Sequence, residues 1–261
     1  MGRSALFLLL FCATNATLAL LYPFSLAHLL LAALLYALGT GIMLFLLFNP
    51  RNAWLVANRS QVEGERCIAL TFDDGPDPVD TPRLLDLLRE KNVKATFFVV
   101  GHRAEQHPEI VRRAWGEGHL ICNHTWSHPP LFCFLSPRRL RAEIARTSEC
   151  VERICGSRTR YFRSPVGLRH PMLRQALHQA GLEYVSWRIR SCDTMIHDSS
   201  LLARRILSSV TSRDILLFHD RLARGTDVLL ATLPGIIDSL RERGFEFVLV
   251  GSPEATRDTD P

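Results

Sequence analysis

A chain of 261 residues is long enough for one large domain plus an appendage. Hydrophobic residues make up 47 % and crowd into the first 50 positions, which excludes a uniformly soluble polypeptide; the remainder has the make-up of an ordinary globular domain. The net charge of +5 is almost wholly arginine, with Lys91 and Lys94 the only lysines and no basic run interleaved with aromatics, so nucleic acid is not expected as a partner.

Two apolar stretches come first. One runs from Ala5 to about Tyr22 and carries Thr14, Asn15 and Thr17; the other runs from Phe24 to Phe48 with His28 as its sole ionisable residue. The second exceeds the roughly 20 residues needed to cross a bilayer. A two-helix hairpin spanning the membrane is the favoured reading, with a cleaved signal peptide or a single signal-anchor as alternatives. Arg3, Arg51 and Arg59 flank the pair, so the positive-inside rule leans the following domain toward the cytoplasm if both stretches span, and outside if only one does. The expected organisation is a membrane anchor over 1–50, a linker over 51–64, a folded domain over 65–250 and a polar tail over 251–261.

From Cys67 onward short apolar runs alternate with amphipathic segments. Strands are expected at Cys67–Phe72, Ala95–Val100, Leu120–Asn123, Tyr161–Arg163, Tyr184–Trp187, Ile215–His219 and Phe245–Val250. Helices are expected at Thr81–Lys91, Pro108–Glu117, Pro137–Ile154, Pro171–Ala180, Ser200–Val210 and Asp227–Arg243, several with proline near the start. This alternation argues for an α/β fold of parallel β/α units, closed or nearly closed into a barrel, with the chemistry at the carboxyl ends of the strands. No pair of the seven cysteines has C-x-x-C spacing; Cys150 and Cys155 are candidates for a disulfide only in an oxidising compartment, two free thiols being the other option.

The residues just after the apolar runs carry the chemistry. The first strand leads into Asp73-Asp74-Gly75-Pro76. Adjacent carboxylates repel, and burial adds a desolvation cost; a cation relieves both, although an exposed acidic turn before a helix gives the same string. The third leads into His124-Thr125-Trp126-Ser127-His128, two imidazoles that can reach one ion, a spacing that surface helices also produce by chance. Together the pairs supply two histidines and a carboxylate with positions open for water, the donor set of a catalytic rather than a closed structural site. The fourth strand ends at Arg163, able to neutralise a carboxylate. Asp193 follows the fifth, and the sixth ends at His219, which suits a general acid if a carboxylate orients it; singly, such a residue is more often a core or surface histidine.

The strings T-F-D-D-G-P and H-T-x-x-H, in this order, resemble the polysaccharide deacetylases, the NodB-homology group also called carbohydrate esterase family four; the resemblance covers about Glu65 to Val250. It implies a distorted (β/α) barrel of about seven strands and hydrolysis of the N-acetyl group of an amino sugar. It implies Asp73 as base, Asp74, His124 and His128 as metal ligands, Arg163 as the group that positions the base, and Asp193 paired with the acid His219. Leu217 matches an apolar wall of the acetyl pocket. The implied cofactor is one divalent metal ion, with zinc, cobalt and nickel all suited to the donors. Two positions depart from the pattern: Val166 stands where an aromatic residue is usual, its backbone N–H still available to an oxyanion, and Thr194 stands where tryptophan is usual. The substrate classes left open are an N-acetylated glycan polymer, a lipid-linked sugar at the membrane and an O-acetyl ester. A non-catalytic glycan-binding subunit is the alternative of another class.

Overall fold

The structure is a computed structural model, and it describes residues 10, 13, 14, 17, 26–49, 53–221 and 226–252. The expected first apolar span, Ala5 to Tyr22, lies almost wholly outside these, as does the tail beyond 252. Among the described residues one helix is long and apolar enough to cross a membrane, α1 (Leu26–Phe48). Its 23 residues rise about 35 Å.

The chain then builds β1 (Asn58–Arg59), β2 (Cys67–Asp73), α2 (Asp80–Glu90), β3 (Thr96–Val99), α3 (Gly101–Gln106) and α4 (Pro108–Gly116). It continues through β4 (Leu120–Asn123), α5 (Pro137–Cys155), β5 (Tyr161–Phe162), α6 (Leu173–Ala180), β6 (Glu183–Val185) and β7 (Ile189–Arg190). The last elements are α7 (Ser199–Ser209), β8 (Ile215–His219), α8 (Asp227–Glu242) and β9 (Glu246–Phe247). The strands pair in parallel in the order β1-β6-β5-β4-β3-β2-β8-β7, with β9 set against β2, and the sheet curls into a half-barrel. The barrel is thus less closed than expected.

Among the strands and α-helices three had no counterpart in the expected list, β1, β7 and α3. Each is short, and two-residue strands carry no periodic signal. The last expected strand shrinks from Phe245–Val250 to two residues, because β9 meets only Cys67 and Ile68. Beyond it the Val250 N–H donates to Thr96 Oγ1, so the chain passes beneath the sheet instead of rising along it. Helix boundaries follow local chemistry. Ser136 accepts from the Arg139 N–H ahead of Pro137 at the start of α5, and Gly156, at φ 68°, ends it. Cys150 and Cys155 are free thiols, so the disulfide option is not taken.

Strand alternation divides the core. Ile68, Leu70 and Phe72 of β2 pack outward with Leu216 and Phe218 of β8 under the helices. Cys67 and Ala69, with Phe98, Cys122, Ile215 and Leu217, belong to a second cluster. The two-residue period of a strand therefore sends Thr71 and Asp73 to the inner face, where Leu217 and His219 also point. Asp73 lies opposite His219 in the β2–β8 register.

Candidate active site

Asp73 and Asp74 are neighbours in sequence but belong to different environments. Asp73 ends β2 and is buried; Asp74 turns off the strand at φ 79° and is partly open to solvent. Inside the barrel Arg163, fully buried, donates from Nη1 to Asp73 Oδ1 at 2.7 Å and to Thr71 Oγ1 at 2.8 Å. Its Nη2 donates to the Ser186 carbonyl, and its guanidinium lies 4.0 Å from the centre of the Phe98 ring. A buried charge is tolerated only when paired in this way.

The Nε2 atoms of His124 and His128 lie 3.5 and 3.1 Å from Asp74 Oδ1, and the three donor atoms fall within 4.8 Å of one another. Tetrahedral N and O ligands about 2.0–2.1 Å from one ion lie roughly 3.4 Å apart, so the set fits a single divalent cation. The tautomer fits as well. His124 Nδ1 is 2.8 Å from the Arg163 carbonyl, an atom that only accepts; Nδ1 therefore carries the proton and Nε2 keeps its lone pair. Burial pushes the Asp74 carboxyl up, but the two imidazoles outweigh it and hold it well below the usual carboxylate range.

The loop between the histidines is pinned from several sides. Asn123 Oδ1 accepts from the Thr125 N–H, and Thr125 Oγ1 accepts from the His128 N–H. Glu143 of α5 accepts from both the N–H and the hydroxyl of Ser127. On the other side Arg103 donates to the Asp74 carbonyl.

His219 Nδ1 lies 2.8 Å from Asp193 Oδ1, and the His219 N–H donates to Asp193 Oδ2 at the same distance. Burial alone would lower this imidazolium. The Asp193 hydrogen bond and charge, aided by Asp73 and Asp74, overcome it and raise His219 to about 9. Leu217 lies two residues below, buried in the barrel. Val166 is 60 % exposed and sits at φ 57°, a conformation costly for a β-branched side chain, and Thr194 is exposed beside Asp193. The structure thus gathers Asp73, Asp74, His124, His128 and Arg163 by direct contact and joins Asp193 to His219. Val166 and Thr194 stand on loops at the same end of the barrel.

Sequence reasoning passed over Asp220, Glu143 and Arg103. Asp220 is buried; it accepts from the Thr81 hydroxyl at 2.7 Å, and burial, with Asp74 adding to it against the Thr81 bond, pushes its carboxyl up to about 7. A Cβ on Gly75 would stand 2.0 Å from Asp220 Oδ2, which explains glycine after the aspartate pair. Gly75→Ala is therefore expected to cost about 1–3 kcal/mol through overpacking. Thermal melts of Gly75→Ala, and of Gly75→Ala with Asp220→Ala, check this, with the second variant regaining part of the loss.

Comparison with known proteins places the chain in a family. Residues 60–185 match the model of the polysaccharide deacetylase family. The chain is 35 % identical over 186 residues to a peptidoglycan-N-acetylglucosamine deacetylase of Bacillus cereus, covering 71 % of this chain and 67 % of that one. It is 32 % identical over 200 residues to a chitooligosaccharide deacetylase of Bradyrhizobium sp., covering 72 % and 91 %. Its fold matches a family 4 acetyl xylan esterase of Clostridium thermocellum in complex with a cobalt ion, with a TM-score of 0.64, 35 % identity and 70 % and 87 % of the two chains covered. The chain belongs to the polysaccharide deacetylase family and is a carbohydrate deacetylase.

Proposed function

We propose that the protein removes the N-acetyl group from an amino sugar of a glycan, using a divalent cation held by Asp74, His124 and His128. The observation that carries this is the buried Arg163–Asp73 pair set beside that donor set, with His124 Nε2 3.9 Å from Asp73 Oδ2. A bound cation supplies Lewis-acid polarisation of the acyl carbonyl and makes water a better proton donor. Asp73, oriented by Arg163, takes the proton of the attacking water as the oxygen–carbon bond forms. The Val166 N–H helps to hold the oxyanion. His219, oriented by Asp193, protonates the amine as the carbon–nitrogen bond breaks. Leu217 supports the acetyl methyl group, and Thr194 leaves the rim wider and more polar than tryptophan would. Retention of both a base and an acid favours an enzyme over a glycan-binding subunit. Residues 1–50 serve as an anchor in a bacterial inner membrane, 51–64 as a linker, 65–250 as the catalytic domain and 251–261 as a polar tail.

The test is acetate release from N-acetylglucosamine oligomers by the full chain, stripped with a chelator and then reloaded with zinc, cobalt or nickel. Activity is expected to vanish on stripping and to return with the ion; undiminished activity in the stripped protein would refute the reading.

The pH profile carries the sign of the His219 shift. A raised histidine is protonated below its own value, so kcat is expected to fall as pH rises through it. A cation held beside Asp74 would offset part of the carboxylate contribution and move this limb downward. Asp193→Asn removes the main raising partner and is expected to move the limb down by about one unit or more.

A further inference from the structure

Beyond α1, the five most exposed large apolar side chains among the described residues are Val79, Leu131, Phe134, Val166 and Met195, from 60 % for Val166 to 73 % for Met195. Each stands on a loop that follows the carboxyl end of a strand: Val79 after β2, Leu131 and Phe134 after β4, Val166 after β5 and Met195 after β7. The loops at the opposite, amino ends of the strands show no large apolar side chain of this exposure. Exposed apolar side chains set on the loops of one end of the barrel suit a contact surface. Four of the five are aliphatic and offer no flat ring for a sugar to stack on; only Phe134 is aromatic.

A second observation says what covers the rim. The last turn of α1 is seated on this same end of the barrel. Leu47 is buried, its carbonyl accepts from the Arg169 N–H at 2.8 Å, and it shares a cluster with Phe132 and Leu168. Arg169 lies three residues beyond Val166. An apolar helix leaves a bilayer at its own end, and that end is tied to the loop that bears the rim. Arg138, Arg139 and Arg141, all exposed, follow Phe134 closely, the basic border that suits an anionic lipid surface.

We infer that the mouth of the barrel is pressed against the bilayer surface, and that the amino sugar it takes is carried on a lipid. The substrate half of this rests on the deacetylase reading; the docking half does not. A sugar on a lipid headgroup reaches the site from below the rim, whereas a polymer strand has to pass between the rim and the membrane.

The experiment uses the full chain reconstituted in vesicles of phosphatidylcholine with phosphatidylglycerol, the former brominated in its acyl chains. Tryptophan introduced as Phe134→Trp is expected to be quenched by bromine well beyond the wild-type background. Tryptophan introduced as Arg158→Trp, exposed at the amino ends of the strands, is expected to stay at background. In unbrominated vesicles the variant Leu131→Ser/Phe134→Ser/Met195→Ser is expected to lose about tenfold or more of its rate on N-acetylglucosaminyl-pyrophosphoryl-undecaprenol. Its rate on the water-soluble tetramer of N-acetylglucosamine should hold within about twofold of wild type. Equal quenching at both positions, or none at 134, overturns the docking surface. Equal loss on both substrates overturns the lipid-linked assignment. If the wild type hydrolyses neither substrate while residue 134 is quenched, the deacetylase reading fails and the docking surface stands.

Discussion

Asp73→Asn is expected to lower kcat by about 10²–10⁴-fold with little change in KM, because it removes a proton acceptor and leaves the space filled. Its Oδ1 can still accept from Arg163 Nη1, so the change is chemical more than architectural. His219→Gln is expected to cost a similar factor by removing the proton donor. The two losses combined should fall short of their product if base and acid act in one concerted sequence. Single-turnover acetate release by each single variant and by the double variant measures this. A rate in Asp73→Asn equal to wild type would remove that side chain from the chemistry.

The second large effect concerns stability. Arg163 is fully buried and its partner Asp73 nearly so, and the pair is also bonded to Thr71 and Ser186. Arg163→Met removes one charge and strands the other, so a loss of about 3–5 kcal/mol is expected. Asp73→Asn strands Arg163 but keeps one acceptor, and should cost less. Arg163→Met together with Asp73→Leu removes both charges of the pair and is expected to recover much of the stability with no activity at all. Urea unfolding of the variants separates these outcomes. A double variant less stable than either single change would show that the pair is held by something other than its own charges.

Strand and helix positions were readable because buried parallel strands are continuous apolar runs and the helices that follow are strongly one-sided. β4 and β8 came out with the expected bounds, and α5 differed by one residue. The curl of the sheet was not readable, since closure depends on how far the edge strands β1 and β7 reach, and each has only two residues. At the site, the strand-end rule placed the carboxylates and imidazoles at one end of the sheet. It could not say which aspartate faces inward; that follows from the alternation of β2, which needs its register with β8. Asp220 was hidden because it follows His219 directly and reads as an exposed turn acid, although it is buried under Gly75. Glu143 was hidden because an acid four residues after Arg139 on a helix looks like an ordinary surface pair, yet it accepts from Ser127. The left-handed backbone of Val166 runs against the preference of its own side chain and no local pattern predicts it.

The passage of the chain beneath the sheet bears on turnover. Val250 is buried in the same cluster as Tyr161, Trp187 and Leu217, so the barrel is stoppered at its amino end. A blind-ended vessel empties in the reverse of the order in which it fills. On the proposed reaction, a small carboxylic acid left against Leu217 would escape only after the amine had vacated the opening above it. Free acetate should therefore rebind the empty site and compete with incoming substrate, which initial rates at rising acetate would show.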